Sequence, residues 1–166
     1  MKTADKFLIG IVATIILIVV AAFIVTLSRP EETYLAENSP ENIVHNYLLA
    51  LQQENFERAY TYLSAEVPGY PTSAWEFERE VQQNRWRFRL EQDVSVSIEE
   101  TKIRETYATV QILETRFYGP DLFDSGQSLS TFEMDLRLEN GQWKIVDGDA
   151  YFSWCWTDLD HYGCDN

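Results

Sequence analysis

Residues 7–27 form one apolar run of 21 residues that contains no charged side chain. A helix rises about 1.5 Å per residue, so this run makes a helix of about 31 Å, which matches a bilayer core of about 30 Å. The run therefore predicts a transmembrane helix over 7–27. Its two hydroxyl side chains, Thr14 and Thr26, are expected to bond to carbonyls of the helix backbone.

A cleavable signal peptide is the alternative to a retained helix. Lys2 and Lys6 give the basic start of such a peptide, and Thr26-Leu27-Ser28 offers a small-x-small sequence at the end of the run. The apolar core of a signal peptide is about 7 to 15 residues long, whereas this run has 21. The length favours retention as a signal-anchor. A lipoprotein is excluded because no cysteine follows the run before Cys155.

The charges that flank the run predict its orientation. Lys2, Lys6 and the N-terminal amine precede it, whereas Arg29 alone follows it before two glutamates. The positive-inside rule then places residues 1–6 in the cytoplasm. We therefore predict a single-pass protein of the cell membrane whose remaining chain is extracytoplasmic.

The chain after the run is long enough for one domain and is strongly acidic. Residues 30–166 include ten basic and 26 acidic side chains, a net charge of −16. Such a surface repels nucleic acid and anionic lipid headgroups. Nucleic acid is therefore not an expected partner, and most of the charge is interpreted as a solvated surface.

Residues 28–38 are predicted to form a tether, and residues 39–166 are predicted to form the folded domain. The tether is polar, contains one proline and has no helical or strand period. Ser39-Pro40-Glu41 then supplies an N-cap, a proline at the first helical position and an acid in the first turn, so a helix begins there. The apolar face of that helix consists of Ile43, Val44, Tyr47, Leu48 and Leu51.

Two further helices and four strands follow in the prediction. The helices cover about 56–63 and 73 to about 84, the second opened by a capping box of Ser73 and Glu76. After Arg85 apolar residues recur at every second position instead of every three or four, which predicts antiparallel strands. The strand regions are 88–98, 107–118, 128–139 and 143–154. Asn140-Gly141 matches a type I′ hairpin turn, and the whole order is that of an α+β fold.

Two segments around the strands are rich in aromatic residues. Arg85-Trp86-Arg87-Phe88-Arg89 is interpreted as a strand edge whose arginines face Glu99, Glu100 and Glu105 rather than nucleic acid. The rings from Tyr151 to Trp156 would occupy both faces of the last strand. One face is then core, and the other is available to a partner or ligand.

The order of three segments carries a resemblance to a known family. They are Ser39-Pro40-Glu41-Asn42-Ile43-Val44 leading to Tyr47-Leu48-Leu49-Ala50-Leu51, then Asn55-Phe56-Glu57-Arg58-Ala59-Tyr60, and Glu139-Asn140-Gly141-Gln142-Trp143-Lys144-Ile145. With these segments the chain resembles the NTF2-like (SnoaL/cystatin-like) superfamily. It is most similar to the membrane-anchored or exported members of that superfamily, many of which are of unknown function. The resemblance implies a cone of three helices on a bent antiparallel sheet of about four strands, with a pocket between them.

The resemblance implies no reaction. Some members are isomerases or dehydratases that use Asp, His and Tyr in the pocket, and others only bind ligands or partners. The sequence places neither His45 nor His161 in a pocket beside a carboxylate, so no catalytic residue and no cofactor are predicted. A small hydrophobic ligand would meet six candidate pocket residues. These are Tyr47, Tyr60, Trp75, Tyr107, Phe132 and Trp143.

Near the C-terminus the sequence suggests a disulfide and, more weakly, a metal site. A bridge between Cys155 and Cys164 suits an extracytoplasmic domain and would stabilise it by about 2 to 3 kcal/mol; two buried thiols are the alternative. Asp158 and Asp160 copy the start of a calcium loop, but no acid follows at its twelfth position. They are weak candidates, to which Asp147 and Asp149 could add ligands, and no metal site is predicted.

Two functions remain open at this level. The first is a membrane-tethered, non-enzymatic interaction or accessory module that contacts other membrane or envelope proteins. The second is binding, or less readily turnover, of a small hydrophobic ligand in the cone. A filled cone interior would count against the second.

Overall fold

The computed structural model describes residues 3–27, 32–90, 94–117 and 126–158, which fall into two compact units, Met1–Thr33 and Tyr34–Asn166. In the first unit, helix α1 spans Thr3–Leu27. Its side chains are described at residues 10–21 and 23, and all of these are exposed. The Thr14 hydroxyl donates to the carbonyl of Gly10 at 2.9 Å, as predicted. The corresponding prediction for Thr26 lies outside the described side chains.

A helix that qualifies as a membrane span is not found among the residues that the structure describes, on the criteria of length and apolar character. The transmembrane helix predicted over 7–27 is therefore not confirmed.

The second unit contains four helices and four strands in its described residues. They are α2 (Pro40–Gln52), α3 (Phe56–Tyr62), α4 (Ala74–Gln83), β1 (Val94–Arg104), β2 (Tyr107–Phe117), β3 (Gln127–Glu139), β4 (Gln142–Gly148) and α5 (Trp154–Thr157). The strands form one antiparallel sheet in the order β1-β2-β3-β4. The predicted α+β class with a four-stranded antiparallel sheet is thereby confirmed.

The helices begin where the sequence predicts. Ser39 is the N-cap of α2 and Pro40 its first residue, and all five predicted apolar positions of α2 are buried. Ser73 caps α4 by accepting from the amide of Glu76 at 3.3 Å. The capping box is incomplete, because the Glu76 carboxylate accepts from the Thr72 amide at 2.9 Å instead of reaching the amide of Ser73.

The domain begins earlier than residue 39. The buried Asn46 side chain on α2 accepts from the Leu35 amide at 2.7 Å and donates to the Leu35 carbonyl at 2.9 Å. The guanidinium of Arg58 lies 3.5 Å from the centre of the Tyr34 ring, and Tyr62 donates to Glu37 at 2.8 Å. The last five residues of the predicted tether thus pair with α2 and α3.

The inner face of the sheet packs against the helices. Alternate residues of β2 and β3 are buried, and β4 adds Ile145. The buried inner residues are Ala108, Val110, Ile112, Glu114, Phe132, Met134 and Leu136. Asn140 and Gly141 both have positive φ, 51° and 82°, as the predicted type I′ turn requires.

The first strand begins later in the structure than the sequence analysis predicted. Residues 85–90 form consecutive turns after α4, with the Phe88 amide donating to Asn84 at 3.2 Å and the Leu90 amide to Arg85 at 3.2 Å. These helix-like bonds occupy the amides that a ladder would need, and β1 starts at Val94. The arginines of this segment therefore do not line a strand edge opposite Glu99, Glu100 and Glu105.

The last strand ends earlier in the structure than the sequence analysis predicted. β4 stops at Gly148, Tyr151 has a φ of 57°, and the chain then forms the short helix α5. A left-handed residue cannot continue a strand ladder. Tyr151, Phe152 and Trp156 are consequently all buried, and Trp154 is exposed, instead of alternating across a sheet.

Candidate functional site

A buried carboxylate at the end of the inner sheet face is the centre of the candidate site. Glu114 has no exposed side-chain surface. Its two oxygens accept hydrogen bonds from Arg89 and Arg116, and the Tyr151 hydroxyl donates to Oε2 at 2.9 Å. The backbone carbonyl of Tyr151 in turn accepts from the buried Tyr47 hydroxyl at 2.6 Å. We call these five side chains the Glu114 cluster.

The cluster keeps its carboxylate ionised. Burial acts to raise the pKa of Glu114, but the hydrogen bonds from Arg116, Arg89 and Tyr151 and the charge of Arg89 outweigh it, so the pKa is lowered. Burial, followed by the charge of Glu114, raises the pKa of Tyr151, and burial raises that of Tyr47. The site therefore holds a charged carboxylate between neutral phenols and guanidinium groups.

A cavity of about 220 Å³ opens beside the cluster. Its described lining combines apolar side chains with two charged ones: Leu51, Gln52, Glu54, Phe88, Arg89, Leu90, Val94 and Tyr151. The guanidinium of Arg89 lies 5.3 Å from the centre of the Tyr151 ring and 5.8 Å from that of Phe132. At the rim, Glu54 pairs with Arg85 at 3.2 Å.

Behind this cavity, the space between helices and sheet is filled by aromatic rings. Trp156 lies at the centre, with ring-centre distances of 5.5 Å to Tyr70, 5.9 Å to Phe77, 6.0 Å to Phe88 and 4.8 Å to Phe152. Its indole N–H donates to Glu80 at 2.8 Å. Side chains thus occupy the volume in which the sequence analysis expected a deep pocket.

The predicted pocket residues divide into three groups. Tyr47 is a buried member of the Glu114 cluster, and Phe132 is buried beside the cluster with its ring centre 5.4 Å from that of Tyr151. Tyr60 is half-buried and stacks on Tyr70 at 5.0 Å, while Trp143 packs half-buried against the core.

Trp75 and Tyr107 are exposed and lie outside the interior. Tyr107 lines a separate depression of about 210 Å³ beside Lys102, Arg104 and Glu133. The structure therefore brings two of the six candidates to the site, Tyr47 and Phe132. Sequence reasoning missed Glu114, Arg89, Arg116 and Tyr151 as a group.

A second candidate site, made of aromatic rings and an arginine, lies on the surface. The guanidinium of Arg87 is 3.9 Å from the centre of the exposed Trp154 ring and 5.3 Å from that of the exposed Trp86. Its Nη1 donates to Ser153 at 2.9 Å, and its buried Nε has no hydrogen-bond partner among the described residues. Burial lowers the pKa of Arg87, against the charge of Glu80. We call Trp86, Arg87 and Trp154 the Trp–Arg patch.

The predicted C-terminal features fall partly outside the described residues. Cys164 and Asp160 lie there, so the Cys155–Cys164 disulfide stays a prediction. Asp158 is exposed. Within the described ranges, no three His, Cys, Asp or Glu side chains are arranged to hold a metal ion.

No protein-family model and no curated protein matches the chain. Solved structures are similar to it. A SEC-C motif containing protein from Rhodopseudomonas palustris is 16% identical with a TM-score of 0.51, over 70% of this chain and 81% of that chain. For an NTF-2 like protein of unknown function from Shewanella oneidensis the identity is 11%, the TM-score 0.43 and the coverage 64% and 90%.

A third similar structure is a candidate ketosteroid isomerase from Shewanella frigidimarina. It is 20% identical with a TM-score of 0.48, over 70% of this chain and 98% of that chain. The structural neighbours of this domain thus include NTF2-like and ketosteroid isomerase-like folds. At these identities the similarity concerns the fold alone and carries no activity over to this chain.

Proposed function

We propose that this protein is a membrane-anchored, extracytoplasmic interaction module of NTF2-like fold that catalyses no reaction. The anchor part of the proposal is supported by the apolar run of 21 residues, by the flanking charges and by the helical conformation of α1. The binding part is supported by the arrangement of side chains in the second unit.

The observation that carries the proposal is the complete burial and ion pairing of Glu114. A general base needs a free lone pair near the substrate and a pKa close to the working pH. Glu114 has no exposed surface, both of its oxygens already accept hydrogen bonds, and its pKa is lowered. A carboxylate held in this way acts as a structural anion, because its lowered pKa makes it a weak base and its lack of exposed surface keeps a substrate from reaching it.

The Trp–Arg patch is the surface that we assign to a protein partner. Tryptophan and arginine are the residue types most enriched where alanine substitution weakens protein interfaces. The patch presents two exposed indoles around one guanidinium. In a chain of net charge −14, it joins apolar area to a positive charge. It suits a partner that offers a carboxylate beside an apolar surface.

Site-directed photocrosslinking in intact cells tests this assignment. A photoreactive residue is placed at Trp86, and a matched one replaces Lys102, an exposed residue of β1 on another part of the domain. We expect one adduct of discrete mass from position 86 that is absent from position 102 and is lost when Arg87→Gln is added. Equal adducts from both positions, or none from position 86, would refute the interaction surface.

Topology and the disulfide are tested on the same chain. We expect externally added protease to digest the domain in cells whose outer layers are removed, while residues 1–6 stay protected. Alkylation before and after reduction should label Cys155 and Cys164 only after reduction. Protection of the domain from protease would refute the proposed orientation.

A further inference from the structure

Backbone strain is concentrated around the cavity beside the Glu114 cluster. Five non-glycine residues of the described ranges have positive φ, and three of them, Glu54, Arg89 and Tyr151, line this cavity. The other two are in the β1–β2 and β3–β4 hairpin turns. Left-handed backbone costs a non-glycine residue about 1 to 2 kcal/mol, and such residues persist where the surroundings or a function require them.

The guanidinium of Arg89, a residue with left-handed backbone, lines the cavity. Arginine has five N–H groups. Arg89 donates from Nη1 to Glu114 and also hydrogen-bonds the Tyr151 side chain, and the described residues show no acceptor for its other N–H groups. Its side chain is 20% exposed. Arg89 also shares the carboxylate of Glu114 with Arg116, so it has no carboxylate of its own within the described part of the chain.

The rest of the cavity wall combines apolar and polar side chains. Leu51, Phe88, Leu90 and Val94 supply the apolar part, and Gln52 and Tyr151 add polar groups. The second charged residue of the lining, Glu54, is paired with Arg85. A volume of about 220 Å³ is below the roughly 300–1,000 Å³ of pockets for drug-sized ligands. A small occupant with one anionic end for Arg89 and an apolar body for the apolar part of the wall fits this lining.

We infer that this cavity binds a small organic monocarboxylate, with its carboxylate on the N–H groups of Arg89 that do not bond to Glu114 or Tyr151, and with its apolar body against Phe88, Leu90 and Val94. The planar guanidinium matches a carboxylate in a two-bond geometry that a neutral amide cannot reproduce. This site is distinct from the Trp–Arg patch, and its presence or absence leaves the proposed interaction function unaffected.

Ligand-observed ¹⁹F NMR with the full chain in nanodiscs of neutral lipid tests the inference. The probes are 4-fluorobenzoate and its uncharged isostere 4-fluorobenzamide, with empty nanodiscs as the blank. We expect concentration-dependent broadening of the benzoate signal and at least tenfold weaker binding of the benzamide. Equal binding of both probes, or binding of neither, would overturn the inference.

Two variants locate the binding site. Arg89→Gln should weaken benzoate binding by about tenfold or more, because the charge-assisted pair is lost. Val94→Trp leaves Arg89 intact and fills the cavity, so it should abolish binding even if Arg89→Gln fails to fold. Lys102→Gln, which removes an exposed positive charge of β1 that does not line the cavity, is the matched control and should bind as the wild type does. A folded variant of either test position that binds benzoate unchanged would refute the site.

Discussion

Replacing Glu114 by glutamine tests the central role of its carboxylate in the domain. Removing one partner of a buried ion pair costs about 3–5 kcal/mol, because the remaining charge is left without compensation. Here the side chains of Arg89 and Arg116 are 20% and 28% exposed, so water can solvate them in part. We therefore expect Glu114→Gln to lower the free energy of unfolding by about 3 kcal/mol, the lower end of that range.

Thermal unfolding of the full chain followed by near-ultraviolet circular dichroism measures this effect. For a domain of this size about 3 kcal/mol corresponds to a midpoint lowered by about 10 °C. The matched control is Glu133→Gln on the neighbouring strand, whose side chain is exposed, and it should change the free energy of unfolding by less than about 0.5 kcal/mol. If Glu114→Gln is as mild as this control, the cluster does not stabilise the fold.

The pH dependence of the stability of Glu114→Gln distinguishes the contribution of the carboxylate charge from that of side-chain packing. Because the folded pKa of Glu114 is lowered, its contribution is fully present above the unfolded value of about 4.3 and is lost as pH falls through the folded value. The stability difference between wild type and Glu114→Gln should therefore be constant from about pH 7 to 5 and shrink below about pH 4. A difference that persists unchanged at low pH would show that packing, and not charge, is responsible.

Three further substitutions probe the buried polar contacts. Tyr47→Phe leaves the carbonyl of Tyr151 without its donor and should cost about 1–2 kcal/mol in urea unfolding, with an unchanged urea dependence. Asn46→Ala removes both bonds to Leu35, so amide exchange of residues 34–38 should accelerate at least tenfold while the exchange of β2 amides changes less. Burial raises the pKa of Tyr70, so its ionisation favours the unfolded chain above about pH 10, and Tyr70→Phe should reduce the loss of melting temperature between pH 9 and 11.

Local chemistry explains what the sequence predicts correctly. The Asn140-Gly141 turn needs two residues that tolerate positive φ, and these two residue types do so at low cost. The alternation of Ala108, Val110 and Ile112 likewise determines which face of β2 is buried. Where the signal lies in neighbouring residues, the element and its facing can be read from the sequence.

Glu114 could have been found by extending the same alternation by one step. It follows Ile112 by two residues and therefore occupies a core-facing position, where an ionised group requires partners. Arg116, two residues further along the same face, is one of them. Arg89 could not be inferred in this way, because its contact depends on a left-handed residue in a run of turns 25 positions earlier.

Helix and strand geometry also explains why the predicted aromatic pocket is not assembled. The apolar side of α4 is occupied by Phe77 and Val81, which are four residues apart and both buried. Trp75 precedes Phe77 by two residues, about 200° around the helix, and must therefore project away from the core. Tyr107 is adjacent to the inward-facing Ala108 and so lies on the opposite side of the sheet.

The filling of the cone limits where this domain can bind anything. Trp156 reaches the centre because the chain leaves β4 at Gly148, turns at the left-handed Tyr151 and returns as α5. The same turn brings the Tyr151 hydroxyl to Glu114 and places Trp154 on the surface against Arg87. This one departure from strand geometry thus fills the deep interior with Trp156. It also places Tyr151 at the cavity and Trp154 in the Trp–Arg patch. A substitution that restores strand geometry at residue 151 should therefore disturb the cavity and the Trp–Arg patch together.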